Sequence, residues 1–298
     1  MGAPGSDDVS VRFFLPHPAL RGAISTYYVL RIVGDASVED LLHPEWPNIR
    51  LLLKGDWSLT FADGRVAATA APGAVVSGTL GRSVVARGEP GLLAGVGLLP
   101  AGWAKLTARP AADFADQLQA LSLFVGPEAD VLLAALMREQ DDDGLRARLD
   151  EWFLRRIGSA PQIERLLVDA HAALLDPGLE SVADWAARLS RSTRQLERLA
   201  RAYFGLSPKV LLRRQRFLRT LASIRDQPPG AWGRLVDERY VDQPHFVRDF
   251  KFFMGMAPRA YFARPSPFMT AAGNARLALL GAPLQGLHPS EEGSGKPG

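Results

Sequence analysis

The chain has 298 residues, a formal net charge of +3 and no cysteine, and 47% of its residues are apolar. This composition is typical of a soluble globular protein of about two domains, and zero cysteine excludes disulfides, thiolate metal sites and cysteine nucleophiles. No uncharged apolar run approaches the roughly 20 residues that span a bilayer. The N-terminus carries acids where a secretory signal carries positive charge, so we expect a cytoplasmic protein without a membrane partner.

The first 110 residues are predicted to be rich in strands. Residues Ile24–Val33 are largely β-branched and aromatic, which favours a strand. The segments Asn48–Leu53 and Trp57–Ala62 flank a short turn signal at Lys54–Asp56, and this arrangement predicts a hairpin. Further short apolar runs lie at 74–77, 83–86 and 92–99. Several short strands at such spacing indicate a small β-barrel or sandwich.

A helical period replaces this pattern at residues 111–124 and 127–157. Leucines and aromatic residues of the second segment form one stripe, which is interrupted near Asp141–Gly144. Such a stripe usually packs on its own domain, and in a minority of proteins it packs on a second subunit. The sequence therefore leaves both a monomer and a homodimer open.

Residues 158–162 (GSAPQ) are predicted to be a linker to a basic helical module. Residues 162–265 hold 18 basic and 11 acidic side chains, whereas residues 1–161 hold 15 basic and 19 acidic ones. A basic module favours polyanions, because Lys and Arg release condensed counterions from phosphate backbones. Residues 266–298 follow as a tail that we expect to be partly disordered.

Two helix–turn–helix patterns lie within the basic module. In the first, Ser181–Phe204, a short apolar-faced helix is followed by Ser192, a good N-cap, and by a second helix that ends at Gly205. In the second, Trp232–Met254, Asp242 is the expected N-cap of the second helix. Each second helix has an apolar inner face and basic residues outside, so each could enter a major groove of DNA. Between the two patterns, Ser207 and Pro208 open a long helix that reaches Arg225.

These residues resemble a known family. The sequence Ser-x-Arg-x-Leu-x-Arg occurs at 192–198, Gly-x-Ser-Pro at 205–208, and an arginine of the linking helix at Arg216. The stretch 240–251 (YVDQPHFVRDFK) and the later GMAPRAY at 255–261 complete the pattern. Residues 163–263, about a third of the chain, are similar to the DNA-binding domain of AraC-type transcriptional regulators. The resemblance implies two helix–turn–helix subdomains joined by one long helix.

Two positions depart from the family pattern. Arg239 stands where the family has Gly before the aromatic residue of the second turn, and Ala200 stands where it favours Phe. We expect these changes to alter local geometry rather than the fold.

The resemblance, together with helix periodicity, nominates residues that read DNA. Arginines four residues apart share one helix face, and an Arg can bind guanine O6 and N7 for about 1–3 kcal/mol of discrimination. The predicted base contacts are Arg194, Glu197, Arg198, Gln243, His245 and Arg248. The predicted phosphate contacts are Ser192, Thr193, Arg213, Arg214, Lys251 and Arg259. Two alternatives stay open: Glu197 and Arg201 could form a surface pair, and Arg216 could be structural.

The N-terminal region is weakly similar to the sensor domains of some AraC-type regulators, which are β-barrel or cupin-like. That similarity implies a domain over residues 1–157 that binds a small molecule or mediates dimerisation. The candidates for an effector pocket at a barrel mouth are Tyr27, Tyr28, Trp46, Arg50, Trp57 and Trp103. Only His17 and His43 could ligate a metal as imidazoles there, so we expect no metal and no cofactor.

The resulting expectation is an α+β protein with a β-barrel or cupin-like N-terminal domain, trailing helices, and an all-α DNA-binding domain over residues 163–265. It would be a transcriptional regulator and not an enzyme, with double-stranded DNA and a small-molecule effector as partners and RNA polymerase as a further candidate. Two alternatives remain: a β-barrel enzyme with an accessory DNA-binding domain, and a non-specific nucleic-acid-binding protein.

Overall fold

A computed structural model describes residues 8–156, 161–228, 232, 236–237, 240 and 242–288. It confirms the α+β class, with β-sheets first and helices after them. The strands are β1 (Val9–Phe14), β2 (Ile24–Ile32), β3 (Val38–Leu42), β4 (Asn48–Lys54), β5 (Trp57–Thr60), β6 (Val66–Thr69), β7 (Gly73–Ser77), β8 (Val84–Gly88), β9 (Gly91–Leu98) and β10 (Leu118–Ala120). The helices are α1 (Pro100–Leu106), α2 (Ser122–Val125), α3 (Glu128–Leu136), α4 (Asp142–Arg156), α5 (Pro161–Leu175), α6 (Val182–Arg188), α7 (Thr193–Leu199), α8 (Pro208–Ile224), α9 (Gln243–Met254), α10 (Pro258–Phe262) and α11 (Pro267–Leu280).

The strands form two antiparallel sheets, which we call the β-sandwich. The larger sheet has the order β1-β2-β9-β4-β7-β10 and the smaller one the order β3-β8-β5-β6. Side chains alternate between the two faces of a strand, and here both faces of the larger sheet are covered. Tyr27 and Val29 of β2 pack on the side of α3 and α4, whereas Leu30 and Ile32 pack toward the smaller sheet. This two-sided burial explains why the strands read as nearly continuous apolar runs.

The predicted hairpin between residues 48–53 and 57–62 is wrong. β4 pairs with β7 and β9 in the larger sheet, and β5 pairs with β6 and β8 in the smaller sheet. The turn does exist, because Gly55 has a φ of +81°, but it carries the chain from one sheet to the other. A turn signal predicts a reversal and does not say which strands pair across it.

The predicted helix over residues 111–124 is also largely wrong. A 3₁₀ turn at Ala111–Phe114 is followed by β10, which pairs with β7, and then by the short α2. Asp116, with a φ of +53°, breaks the helical path between them. The predicted interruption near Asp141–Gly144 is confirmed, because α3 ends at Leu136 and α4 begins at Asp142.

The caps predicted in the helical module are confirmed. Ser192 and Gln195 form a capping box at the start of α7, which continues as a π-helical turn (Ala200–Phe204) and stops at the left-handed Gly205. The Ser207 hydroxyl caps α8, and the Asp242 carboxylate accepts from the His245 backbone N–H at the start of α9. The first helix of the second helix–turn–helix pattern and Arg239 lie outside the described residues, apart from Trp232, Val236, Asp237 and Tyr240.

The first part of the predicted tail is folded, because α11 is a four-turn helix that packs on β1 and β3. Phe268 contacts the Trp57 ring at a centroid distance of 5.3 Å, and the Met269 N–H donates to Asp40 Oδ2 at 2.9 Å. After α11, Gln285–Leu287 forms a 3₁₀ turn, and the Gln285 side chain is buried and hydrogen-bonded to Asn48. Apolar residues of the tail therefore complete the β-sandwich core, and residues 289–298 lie outside the described part. Within that part, no helix is long and apolar enough to cross a membrane.

Candidate nucleic-acid interface and the adjoining cavity

Helix α7 exposes two arginine side chains to solvent. Arg194 and Arg198 are exposed, and neither guanidinium has a hydrogen bond or ion pair with any described residue. Its inner face is buried through Leu196, and the following π-turn adds Ala200 and Phe204. Glu197 pairs with Arg201 at 2.8 Å, so the surface-pair alternative for this glutamate is the one that the structure shows.

Helix α9 has the same arrangement of a buried face and an exposed polar face. Phe246, Phe250 and Phe253 are buried, whereas Arg248 and Lys251 are exposed and make no ion pair with the described residues. Gln243 is exposed at the first turn. His245 is half-buried, with its ring edge-on to Tyr240 at 5.1 Å and its Nε2 3.5 Å from Arg216. Arg259 is exposed at the start of α10.

A buried carboxylate fixes α9 to the linking helix α8. Asp249 is 2% exposed and accepts from Arg213 Nε at 2.6 Å and from Arg216 Nη2 at 3.1 Å. The Arg213 guanidinium also lies 4.2 Å from the Phe252 ring centroid, and that of Arg216 lies 4.5 Å from the Tyr240 centroid. We call these three charged residues the Asp249 clamp. Arg216 is therefore structural, and Arg213, which is 32% exposed, is only partly available to a phosphate.

The role of Asp249 could not be predicted from the sequence. Its place beside Phe250, and three residues after Phe246, sets the carboxylate next to the buried face of α9. An acid at the border of an apolar helix face is common on amphipathic helices, so this spacing gave no distinct signal. Only the packing of α9 on α8 brings the carboxylate to two arginines.

Arg214 is not a phosphate contact, and that prediction is corrected. Its side chain is fully buried and its guanidinium carbon lies 3.8 Å from the Trp46 ring centroid. Its Nη1 reaches the backbone carbonyls of Glu45 and Leu80 only at 3.5 Å, and its Nε and Nη2 have no partner among the described residues. Burial lowers the Arg214 pKa to about 9. Adjacent arginines on a helix point in different directions. Helix periodicity alone does not tell which of Arg213 and Arg214 faces the β-sandwich, and the structure shows that it is Arg214.

A basic groove of about 650 Å³ runs along α8 between α5–α6 and α9. Five lysine and arginine side chains and one histidine line it: Lys209, Arg213, Arg216, Arg219, Arg248 and His245. Three acidic residues, Asp176, Glu180 and Asp249, lie in its wall. The groove places positive charge beside α9.

The six effector-pocket candidates separate into two groups. Tyr28, Arg50 and Trp57 line one cavity of about 60 Å³ between the β-sandwich and α11. The Tyr28 ring sits directly over Gly95, where an added Cβ would lie 1.9 Å from the ring. Arg50 donates to Glu45 and to the Ser77 hydroxyl, each at 2.7 Å. We call this space the sandwich cavity.

Tyr27, Trp46 and Trp103 do not line the sandwich cavity. Tyr27 points to the opposite face of the larger sheet and stacks on Phe153, because successive side chains of β2 alternate. Trp103 is buried, and its Nε1 donates to the Arg109 carbonyl at 2.8 Å. Trp46 is buried in the core that the β-sandwich shares with the helical module.

The Trp46 ring connects the two parts of the chain. It meets Phe204, at the end of the π-helical turn after α7, and His171 of α5 edge-on at 5.7 and 5.5 Å, in addition to Arg214. Both ring nitrogens of His171 lack a hydrogen-bond partner among the described residues, and burial lowers the His171 pKa to about 3. The β-sandwich and the first helix–turn–helix therefore share one apolar core.

His43 does not point to a metal site. Its Nε2 lies 2.6 Å from the Tyr261 hydroxyl, and burial lowers its pKa to about 3. No group of three or more His, Asp or Glu side chains in the described residues is arranged to hold a metal ion.

The chain thus consists of a β-sandwich joined to a helical module, and two helices of that module are N-capped and exposed on one face. No protein-family model and no curated protein matches the sequence. A structure of ToxT from Vibrio cholerae is 10% identical, with 80% of this chain and 97% of that chain covered and a TM-score of 0.45. Unsaturated fatty acid-bound ToxT from Vibrio cholerae strain SCE256 is 12% identical, with 85% and 94% covered and a TM-score of 0.42. A cupin superfamily protein from Desulfitobacterium hafniense is 12% identical, with 32% and 81% covered and a TM-score of 0.25.

Proposed function

We propose that the chain is a sequence-specific DNA-binding transcriptional regulator whose β-sandwich binds a small effector. The observation that carries the proposal is the pair of helices α7 and α9. Each is N-capped, is ended by a left-handed glycine, is buried on one face, and presents arginine that no described residue neutralises. Exposed arginines without an ionic partner are available to base edges and phosphates. The motif resemblance at residues 192–208 and 240–261 supports the same assignment.

In this proposal, Arg194 and Arg198 read one major-groove segment, and Gln243, His245 and Arg248 read the next. Glu197 contacts a base only if it exchanges Arg201 for a cytosine amino group. The phosphate contacts are Ser192, Thr193, Lys251 and Arg259, with Arg213 as a partial contributor. The sensor domain is placed at residues 1–157, the linker at 158–162 and the DNA-binding domain at 163–265. No enzymatic reaction is assigned.

Selection of bound DNA from a random duplex library with the full-length chain tests the proposal. We expect an enriched motif of two half-sites separated by about 10 base pairs, because one linking helix holds the two recognition helices. Affinity should fall with added salt, and Lys251→Ala should reduce the salt slope by about 0.9 without changing the motif. Arg87→Ala, on β8 and exposed, is the matched control for loss of one positive charge. Salt-sensitive binding without an enriched motif would contradict sequence-specific recognition.

A further inference from the structure

One wall of the sandwich cavity is formed by a segment that follows the helix–turn–helix module. Its walls come from β1, β2, β3, β4, β5 and β9 and from Phe268, Met269, Ala272 and Arg276 of α11. The α11 helix is separated from α10 by only four residues. A molecule held in the cavity would therefore contact both the β-sandwich and the chain that continues from the DNA-binding module.

The charges around the cavity do not balance. Two arginines, Arg50 and Arg276, and one acid, Glu45, line it; Glu45 forms an ion pair with Arg50 at 2.7 Å and its charge also acts on Arg276. Arg276 is 8% exposed and makes no hydrogen bond or ion pair with any described residue; its guanidinium lies 4.4 Å from the Phe13 ring centroid. Burial lowers the Arg276 pKa to about 10, so the group still carries a full charge at neutral pH. The lining therefore carries one positive charge in excess, and the excess charge is costly at a buried arginine unless an anion compensates it.

The unpartnered polar atoms of the cavity walls are donors. The buried nitrogens Arg276 Nε and Trp57 Nε1 lack hydrogen-bond partners in the described residues. No buried side-chain acceptor of the lining residues is similarly left over in that part of the chain. The remaining wall is mostly apolar, with Val11, Phe13, Leu30 and Leu93. Donors without acceptors, beside apolar side chains, match a ligand that has an anionic acceptor head and a hydrocarbon body.

The cavity volume sets the size of that ligand. It measures about 60 Å³, and a water-sized group needs about 10–15 Å³ of such space. The cavity therefore accommodates about four to six non-hydrogen atoms. This corresponds to a carboxylate with a chain of two to four carbons.

We propose that the sandwich cavity binds a short-chain monocarboxylate, with Arg276 of α11 as the cation that holds its head group. The proposal rests on the effector-binding role of the β-sandwich given above and names the ligand class and its principal residue. Carboxylate binding then fastens α11 to β1, and through the short connection to α10 it restrains the second helix–turn–helix.

Thermal unfolding of the full-length protein with acetate, propionate or butyrate tests the proposal, at pH 7 and at an ionic strength held constant with sodium chloride. We expect saturating butyrate to raise the midpoint by about 2 °C or more, and the matched butyramide to leave it unchanged. Acetate should act more weakly than butyrate, because it fills less of the cavity. Equal effects of butyrate and butyramide would overturn the proposal, as would the absence of any shift with the three acids.

Two variants locate the site. Arg276→Gln is expected to abolish the butyrate shift, while its midpoint without ligand stays at or above that of the unmodified protein because an uncompensated buried charge is removed. If Arg276→Gln does not fold, Ala272→Val is used instead, because it fills the cavity and keeps the arginine. Arg87→Gln removes an exposed arginine and should retain the full shift. A butyrate shift that persists in the folded cavity variants would overturn the assignment.

These readouts are independent of DNA. A butyrate-specific shift with no enriched DNA motif would support carboxylate binding and contradict the regulator proposal. An enriched motif without a butyrate shift would overturn the carboxylate inference alone.

Discussion

The two exposed, N-capped helices α7 and α9 are held in different ways. The first one, α7 with its π-helical extension, is anchored by apolar contacts that end in Phe204 against Trp46 of the β-sandwich. Its one ion pair among the described residues, Glu197–Arg201, lies on the surface. The second one, α9, is anchored by a row of phenylalanines and also by the Asp249 clamp, whose carboxylate is buried. Loss of a surface pair costs little and loss of a buried charge costs much, so the same kind of substitution should have unequal effects on the two helices.

The largest effect is expected at the apolar anchor. Phe204→Ala removes a fully buried ring from Trp46 and Trp185, and the resulting cavity should lower the free energy of unfolding by about 3–5 kcal/mol. Urea denaturation measures this loss of unfolding free energy. Leu123→Ala, at a 42% exposed side chain, is the control and should cost about 0.5 kcal/mol. A similarly small loss for Phe204→Ala would show that the shared core does not hold α7.

The second largest loss of unfolding free energy is expected at the Asp249 clamp. Asp249→Ala leaves two arginines without their carboxylate and should cost about 2–4 kcal/mol, less than a fully buried pair because Arg213 is partly exposed. Glu197→Ala, the corresponding removal of an acid from α7, should cost about 0.5 kcal/mol or less. Urea denaturation of both variants compares them directly. Equal losses would contradict the distinction between the helices.

Acid should destabilise the fold through two neutral histidines. Burial lowers the pKa of His43 and of His171 to about 3, below the unfolded value of about 6.5. The unfolded chain therefore binds two more protons as the pH falls below about 6.5, and stability that is complete above this pH decreases by about 2–3 kcal/mol between pH 6 and pH 5. Denaturation across this range measures the slope. The double variant His43→Gln with His171→Leu should flatten it, and an unchanged slope would rule out these residues as the cause.

The smallest effects are expected at two neighbouring arginines of α8. Arg214→Met removes a fully buried charge whose ring contact with Trp46 only partly offsets its desolvation, and it should raise stability by about 1 kcal/mol. Arg213→Met breaks a carboxylate pair and should lower stability by about 1 kcal/mol. Unfolding midpoints of the two variants test this opposition. Changes of the same sign would contradict it.

Local signals predicted the ends of α7 and α9 well. Ser192, Gly205, Ser207 and Asp242 act within three to five residues of their own position, so caps and helix ends could be read directly. The pairing of strands that lie far apart in the sequence could not be predicted in this way. The change of sheet at Gly55 depends on strands far along the chain.

The functional residues divide in the same way. Exposed Arg194, Arg198 and Arg248 follow from helix periodicity, whereas the burial of Arg214 follows from contact with Trp46, which lies far away in the sequence. Asp249 and Arg276 gain their importance from helices packing on one another or on a sheet, and no local spacing marks them. Their roles required the tertiary structure.

We propose that α7 and α9 each read their own half of one DNA site. Selection of bound DNA from a random duplex library, with the full-length protein and with Arg198→Ala and Arg248→Ala, separates the two halves. We expect a bipartite motif for the unmodified chain, with each variant losing sequence preference in a different half while keeping the other. Loss of preference in the same half, or uniform weakening with the motif unchanged in both variants, would contradict it.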